Sequence, residues 1–212
     1  MRGRNRTHRR REKRSPDPDP VKTKLAEEMH TRPFEDEWDL IVLNRTPPDE
    51  WEQGFKYMYT MKTIGDYWGC MNSIRLKVGD VHHRFMNTPE GFGIFLKGTQ
   101  PTWGTGGIPT QSVIQKALLT QEQFHFMLQQ IGVLLVCNNH YLPGAIGVRV
   151  CDKTSKVRSF QKVEIWGHAD NKKFAASALK WLKTLSTECK SQVMETLVHV
   201  HPQRLECDVP DK

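Results

Sequence analysis

The stretch Gly98-Thr-Gln-Pro-Thr-Trp103-Gly104 surrounds a large aromatic side chain with turn-forming residues. Glycine and proline at this density break helices and strands alike, so we expect Trp103 to lie on a loop. The stretch alone allows two interpretations of an indole in such a position. Either it folds back onto the core, or it stacks on a flat ligand, and the rest of the chain has to decide between the two.

The net charge of +7 is concentrated at one end of the 212-residue chain. Residues 1–14 hold seven arginines, one lysine and one glutamate, so the remaining 23 basic and 23 acidic residues cancel. We predict a basic disordered arm with a Pro/Asp linker over residues 1–30, one domain over residues 31–203 and a loose tail over residues 204–212. The arm is either a nuclear-import or RNA-tethering segment or a solvated tail. Because the domain is neutral, any anion site in it has to be local.

Composition also limits the cellular compartment and the kinds of covalent or membrane structure that we expect. No apolar run approaches 18 residues, so we expect no membrane span. The cysteines are odd in number, widely spread and without a CxxC pair, which argues against a disulfide framework and a zinc knuckle: Cys70, Cys137, Cys151, Cys189 and Cys207. We expect a monomeric protein of a reducing compartment, the cytoplasm and also the nucleus.

Apolar periodicity predicts several strands interrupted by three single helices. The predicted strands cover residues 38–43, 55–59, 93–96, 112–119, 144–151, 157–166 and 193–201. Two helices are predicted to begin at capping-box patterns, one with Thr63 and Asp66 and the other with Thr120 and Gln123. The third is predicted over residues 171–186. This order favours an α+β fold with an antiparallel sheet over a parallel-sheet enzyme.

Four stretches in order resemble the translation initiation factor 4E family, cytosolic proteins that bind the 5′ cap of mRNA. They are Arg32-Pro33-Phe-Glu-Asp-Glu-Trp38, Asp66-Tyr67-Trp68-x-x-x-Asn72-x-Ile74, Gly98-Thr-Gln-Pro-Thr-Trp103 and Val163-Glu-Ile-Trp166. The resemblance extends over about residues 31–201. It implies a curved antiparallel sheet backed by three α-helices on its convex side.

The resemblance also implies a cap site. N7-methylguanine is a flat cation, and two indoles can hold it by stacking and cation–π attraction. By resemblance these indoles belong to Trp51 and Trp103, and Trp166 touches the N7 methyl group. Arg149 corresponds to the family's phosphate-binding arginine. Lys162 is the best second candidate for the phosphates, and the weaker candidates are Lys153 and Lys156.

One departure from the family pattern bears on this site. The family follows its loop tryptophan with a glutamate that accepts hydrogen bonds from guanine, whereas this chain has Gly104. Glu164, Glu50 or Glu52 could supply the carboxylate instead. The alternative is a divergent protein with weak or no cap binding that acts as a protein-interaction module or translational repressor.

A second surface is implied for a scaffold or regulator protein that carries a Tyr-x-x-x-x-Leu-apolar helix. By resemblance its receiving residues are Pro33, Ile64, Trp68, Phe124 and Leu128. The other interpretation of Trp68 is that it is simply part of the core.

The sequence offers little for catalysis, and we expect no enzyme, metal or cofactor. The pairs His82-His83 and His199-x-His201 lack a third ligand at a recognisable spacing. The glycines of Gly104-Thr-Gly-Gly107 are not followed by the Lys-Ser/Thr of a phosphate-binding loop.

Overall fold

The computed structural model describes residues 27–28, 30–47, 51–74, 78, 89–99, 110–137, 142–155 and 159–201, without the side chains of residues 51, 52, 134–137 and 201. In this part of the chain seven strands form one sheet. They are β1 (Pro33–Asn44), β2 (Phe55–Thr63), β3 (Pro89–Leu96), β4 (Thr110–Leu118), β5 (Ala145–Asp152), β6 (Gln161–His168) and β7 (Gln192–His201). A 3-10 helix at Trp51–Gly54 leads into β2. The α-helices are α1 (Ile64–Ser73), α2 (Gln121–Cys137) and α3 (Phe174–Glu188).

Every strand pair of the sheet is antiparallel. The order across the sheet is β2-β1-β3-β5-β6-β4-β7, so β2 and β7 are its edges. The predicted hairpin is present as β5 and β6. The predicted fold class is confirmed: the protein is α+β, with a curved antiparallel sheet that carries the helices α1, α2 and α3 of the described ranges on one side.

The two faces of the sheet bury different amounts of apolar surface. On the helix-bearing face, Leu40, Ile94, Val148 and Val163 pack into the large core with the three helices. On the opposite face, which we call the open face, a small cluster contains Ile41, Phe95, Ile146 and Trp166. Residues that follow one another along a strand alternate between these faces, so a functional side chain on the open face is anchored by apolar neighbours on the other.

Local hydrogen bonds begin two helices where the sequence predicts. Thr63 Oγ1 accepts from the Asp66 N–H at 3.1 Å, and Asp66 Oδ2 accepts from the Thr63 N–H at 2.9 Å. Thr120 and Gln123 exchange the same pair of bonds before α2. None of the helices in the described ranges is long and apolar enough to cross a membrane.

Strand β3 is longer than predicted and includes Gly91 and Gly93. Glycine normally weakens a strand, yet the strand begins at Pro89 and adds Gly91 to the predicted residues 93–96. In the fold, a Cβ on Gly93 would lie 2.7 Å from the Phe95 ring, and a Cβ on Gly91 would lie 2.8 Å from Cys151 Cα. The glycines are therefore required by close approach of the neighbouring strand and ring. Strand β1 is also longer, since it begins at Pro33 rather than at Trp38.

Candidate functional site

The register of β5 and β6 brings three predicted ligand-binding side chains together. Arg149 lies directly across from Glu164, and Lys162 lies across from Cys151, two positions along the same strands. Because side chains alternate along a strand, Lys162, Glu164 and Trp166 all lie on the open face. The sheet thus assembles a charged cluster from residues that are 13 to 15 positions apart in the chain.

Glu164 is the centre of this cluster. Its Oε2 atom accepts hydrogen bonds from Nε and Nη2 of Arg149, and its Oε1 atom pairs with Nζ of Lys162. The indole Nε1–H of Trp166 lies 3.4 Å from the same Oε2. Glu164 is only 1% exposed, whereas the side chains of Arg149 and Lys162 keep 18% and 22% of their surface accessible. Two cations with one carboxylate leave the cluster with an excess positive charge that solvent can reach.

The ionisation of Glu164 follows from these contacts. Burial alone would raise the pKa of its carboxyl, but the charges of Arg149 and Lys162 outweigh burial and hold that pKa below its ordinary value. The carboxylate is therefore ionised at neutral pH. Both carboxylate oxygens contact cations, and a role of Glu164 as acceptor for a bound base stays a prediction.

Trp166 differs from its predicted role. The indole is 1% exposed and packs in the open-face cluster with Ile41, Phe95 and Ile146. The Arg149 guanidinium carbon lies 5.7 Å from the centroid of the ring, a cation–π distance. In this arrangement the ring of Trp166 packs against Arg149. The indole is buried and cannot contact the methyl group of a ligand.

A cavity of about 280 Å³ opens beside the cluster. Its basic lining residues are Arg45, Arg149 and Lys153, and its acidic ones are Glu90 and Asp152. Lys153 pairs with Glu90. Asp152 Oδ1 accepts from the Thr154 hydroxyl at 2.6 Å and from Gln161 Nε2 at 3.0 Å. The acidic groups are thus engaged within the protein, and the balance of charge in the cavity favours an anion.

The cavity lies next to the segment that carries Trp51. Phe55, the first residue of β2, lines it together with Asn44 and Thr46 from the end of β1. The 3-10 helix of Trp51 is packed tightly there, since a Cβ on Gly54 would lie 2.6 Å from the Asn44 carbonyl oxygen. The backbone of Trp51 is therefore held close to one end of the cavity.

Several predicted site residues lie outside the described residues. These are Trp103, Gly104, Lys156 and Glu50, together with the side chains of Trp51 and Glu52. The sandwich of a base between two indoles consequently stays a prediction.

Arg45 and Glu90 line the cavity, although the sequence predicts neither of them as a site residue. Arg45 follows the end of β1, and Glu90 precedes the strand predicted at residues 93–96. Neither has a local motif around it. Only the pairing of β3 with β1 and β5 brings them to the cavity that Arg149 and Lys153 line.

The predicted receiving surface for a partner helix is partly assembled. The Ile64 N–H donates to the Arg32 carbonyl at 3.1 Å, which joins the start of α1 to the residue before Pro33. Pro33 is exposed, and Ile64 and Trp68 are half-buried. The Tyr67 hydroxyl donates to the Gln129 carbonyl at 2.7 Å, which fixes α1 against α2, and its ring meets the edge of Trp68 at 5.1 Å. Trp68 therefore packs on the core and still presents part of its ring to solvent.

Two members of that predicted surface need a correction. Phe124 is fully buried and Leu128 is 1% exposed, and both belong to the core beneath α2. Their side chains fill the interior because they lie on the apolar stripe of α2 that faces the sheet. Among the predicted residues, Pro33, Ile64 and Trp68 remain accessible to a partner.

In the described ranges, no group of three or more His, Cys, Asp or Glu side chains is arranged to hold a metal ion. The sequence matches no protein-family model and no protein of curated function.

Solved structures share the fold. C. elegans eIF4E-3, in complex with the 4E-binding protein Mextli and a cap analog, superposes with a TM-score of 0.55 at 18% identity, over 77% of this chain and 91% of that one. Ascaris suum eIF4E-3 with m7G cap gives a TM-score of 0.55 at 15% identity, over 85% and 99%. Schistosome eIF4E with m7GpppG and 4E-BP gives 0.53 at 14% identity, over 80% and 87%. The chain therefore has the eIF4E fold, which confirms the resemblance in its sequence.

Proposed function

We propose that this protein binds the 7-methylguanosine cap of mRNA in the cytoplasm and acts as a translation initiation factor. The observation that carries the proposal is the position of Arg149 and Lys162 on the open face, beside a cavity at the segment of Trp51. The proteins of similar fold include complexes with m7G cap and with m7GpppG.

The phosphate bridge of the cap would bind at the charged cluster. Arg149 and Lys162 each keep an accessible portion of their side chain beyond Glu164, and Arg45 and Lys153 line the neighbouring cavity. Guanidinium and ammonium groups form their strongest hydrogen bonds with ionised oxygen acceptors such as phosphate. The rigid sheet holds these donors in advance, which lowers the entropic cost of binding.

The methylated base would stack between Trp51 and Trp103, where its positive charge favours the indole faces. Gly104 brings no carboxylate to the base, and both oxygens of Glu164 are engaged by cations. A missing charge-assisted acceptor costs about 1.5–3 kcal/mol. We therefore propose that recognition depends more on stacking and phosphate contacts than on hydrogen bonds to the guanine edge.

Isothermal titration with 7-methyl-GTP, GTP and 7-methylguanosine tests this function. We expect 7-methyl-GTP to bind more tightly than both other ligands. Arg149→Ala should weaken 7-methyl-GTP roughly 10- to 100-fold, and it should weaken 7-methylguanosine little, because the lost contact is to phosphate. Lys62→Ala is the matched control, since Lys62 pairs with Glu37 at 3.2 Å and does not line the cavity. Equal binding of 7-methyl-GTP and GTP would overturn the proposal.

The second candidate function is a protein-interaction module or translational repressor with weak cap binding. The observation that favours it is the charged cluster, in which Glu164 already occupies part of the hydrogen-bonding capacity of Arg149 and Lys162. Here a helix of the Tyr-x-x-x-x-Leu-apolar type from a scaffold or regulator would dock against Trp68, Ile64 and Pro33. Retention on a 7-methyl-GTP resin with and without such a peptide distinguishes the two functions. Retention that requires the peptide, or that never occurs, supports the second.

A further inference from the structure

A second groove lies on the helix-bearing face, between α3 and the edge strand β7. Its volume is about 640 Å³, larger than the cavity near Arg149. Leu179 and Val193 line it, and a hydrogen bond of 2.7 Å from the Ser186 hydroxyl to Gln115 Oε1 joins α3 to β4 at its base. The groove is thus a built feature of the fold with a partly apolar lining.

Lysines supply the charge of this groove. Lys180, Lys183 and Lys190 all line it, and among the described residues no acidic side chain lines it with them. None of the three forms an ion pair with another residue in the described ranges. Three like charges around an apolar lining create a local positive potential that an acidic ligand would neutralise.

Strand β7 offers an unusual edge next to the groove. Among the described strands it pairs only with β4. Met194, Val198 and Val200 are 46–60% exposed. Its single acidic residue, Glu195, pairs with Lys116 on the open face. Natural edge strands usually carry charges that block further pairing, and the second half of β7 has no acidic or lysine side chain.

We propose that β7 and this groove bind an acidic, extended segment of a partner protein, which adds to the sheet as a strand antiparallel to β7. Its acidic side chains would lie near Lys180, Lys183 and Lys190, at the Val193 end of β7. Its apolar side chains would cover Val198 and Val200 at the other end. Backbone hydrogen bonds give such a complex its affinity, and the charges give it register and specificity.

A peptide fits these features better than a nucleic acid does. Single-stranded nucleic acids are held by aromatic platforms on which bases stack as well as by cations. The groove has cations, but in the part of the chain that the structure describes no aromatic side chain lines it. An exposed apolar strand edge is matched by the backbone of a peptide and not by that of RNA.

The test uses the full chain and a fluorescein-labelled peptide, Thr-Val-Thr-Val-Thr-Glu-Thr-Glu-Thr-Glu, in fluorescence anisotropy; its valines and glutamates share one face of an added strand. A peptide with lysine in place of each glutamate is the control ligand. We expect Lys180→Glu/Lys183→Glu to weaken the acidic peptide at least about tenfold, the loss of 1.4 kcal/mol or more. Lys172→Glu/Lys173→Glu makes the same change of charge at the start of α3, outside the groove, and should have little effect. Equal losses in the two double variants, or equal binding of both peptides, would overturn the proposal.

Hydrogen exchange supplies the structural readout. Amides in residues 192–201 should exchange more slowly with the acidic peptide bound, because a new strand covers this edge. Slower exchange elsewhere with no change in β7 would contradict strand addition. Tighter binding of a ten-nucleotide oligoadenylate than of the acidic peptide would assign the groove to RNA instead.

The chain's own residues 202–212 carry three acidic and two basic residues and follow β7 directly. If Glu206→Lys/Asp208→Lys creates peptide binding that the unaltered chain lacks, the occupant is this segment and the partner proposal is wrong. Titration with 7-methyl-GTP should be the same in all these variants, because the groove is on the opposite face from Arg149. The outcome is therefore independent of cap binding.

Discussion

Arg149 and Glu164 lie opposite each other on β5 and β6, and two nitrogens of the arginine contact one oxygen of the carboxylate. The principal candidate for binding phosphate therefore has an anionic partner within the protein. A phosphate that arrives at this site shares Arg149 with a buried carboxylate, as it also shares Lys162. The strength of the site depends on Glu164 as much as on the cations.

We expect Glu164→Gln to strengthen the binding of inorganic pyrophosphate and of 7-methyl-GTP by about tenfold at pH 7. The variant keeps the size of the side chain but raises the charge of the cluster by one unit, and one charge at this range contributes about 1–2 kcal/mol. The same change should lower the free energy of unfolding by about 1–3 kcal/mol, because two partly buried cations lose their counter-charge. Titration calorimetry and urea unfolding measure the two effects.

Glu195→Gln is the matched control for this prediction. Glu195 is an exposed residue that pairs with Lys116 on the same face, so its loss should alter neither quantity by much. Weaker pyrophosphate binding by a folded Glu164→Gln protein would mean that Glu164 positions the cations and does not compete with the ligand.

Trp68→Ala should weaken the binding of a helical Tyr-x-x-x-x-Leu-Leu peptide by about 30-fold or more, as is typical of an aromatic anchor. Trp181 is also half-buried and packs on the same core, but it belongs to α3. Trp181→Ala should therefore lose a similar amount of core packing and still bind the peptide as tightly as the unaltered chain. Anisotropy measures binding, and circular dichroism checks that both variants fold. Equal loss of peptide from both variants would exclude Trp68 as a specific anchor.

Asp66→Asn should lower stability in a way that depends on pH. Asp66 accepts from the N–H groups of Lys62 and Thr63, each at 2.9 Å, and from the Tyr59 hydroxyl at 3.0 Å. Burial opposes its ionisation, yet these hydrogen bonds outweigh burial and lower its pKa. Because the folded pKa is below the unfolded one, the stabilisation is complete above the unfolded value and is lost as pH falls through the folded value.

At pH 7 we therefore expect the variant to be less stable by about 1 kcal/mol, the usual contribution of a helix cap. The difference should shrink below about pH 4, the ordinary range for aspartate. Urea unfolding at several pH values checks this, with the exposed turn residue Asp170→Asn as control. A difference that stays constant down to pH 3 would show that the charge of Asp66 plays no part.

Gly147→Ala should destabilise the fold by at least about 2 kcal/mol, the cost of overpacking a filled site. A Cβ at this position would overlap the ring of Phe95 in the cluster that supports Trp166. Gly69→Ala is the contrasting variant, because a Cβ there meets nothing within 4 Å and alanine favours a helix. That variant should be as stable or slightly more stable. Thermal unfolding compares the two, and equal melting temperatures would place the Phe95 ring elsewhere.

The sequence alone determined the features that depend on neighbours a few positions away. The capping boxes at Thr63 and Thr120 require only a partner three residues later, so they could be predicted and are present. The buried face of α3, with Phe174, Ala178 and Leu182, follows from helical periodicity in the same way. The order of these elements, with four short stretches, was sufficient to predict the α+β fold.

The tertiary structure decided which side chains meet. Glu164 could be assigned to the open face from alternation, but its pairing with both Arg149 and Lys162 depends on the register between β5 and β6. A shift of one residue in that register would separate the three groups. Leu128 likewise has the chemistry of a docking residue, and only the packing of α2 on the sheet buries it. Local sequence fixes backbone conformation, whereas contacts between distant strands and helices come from the packing of the whole chain.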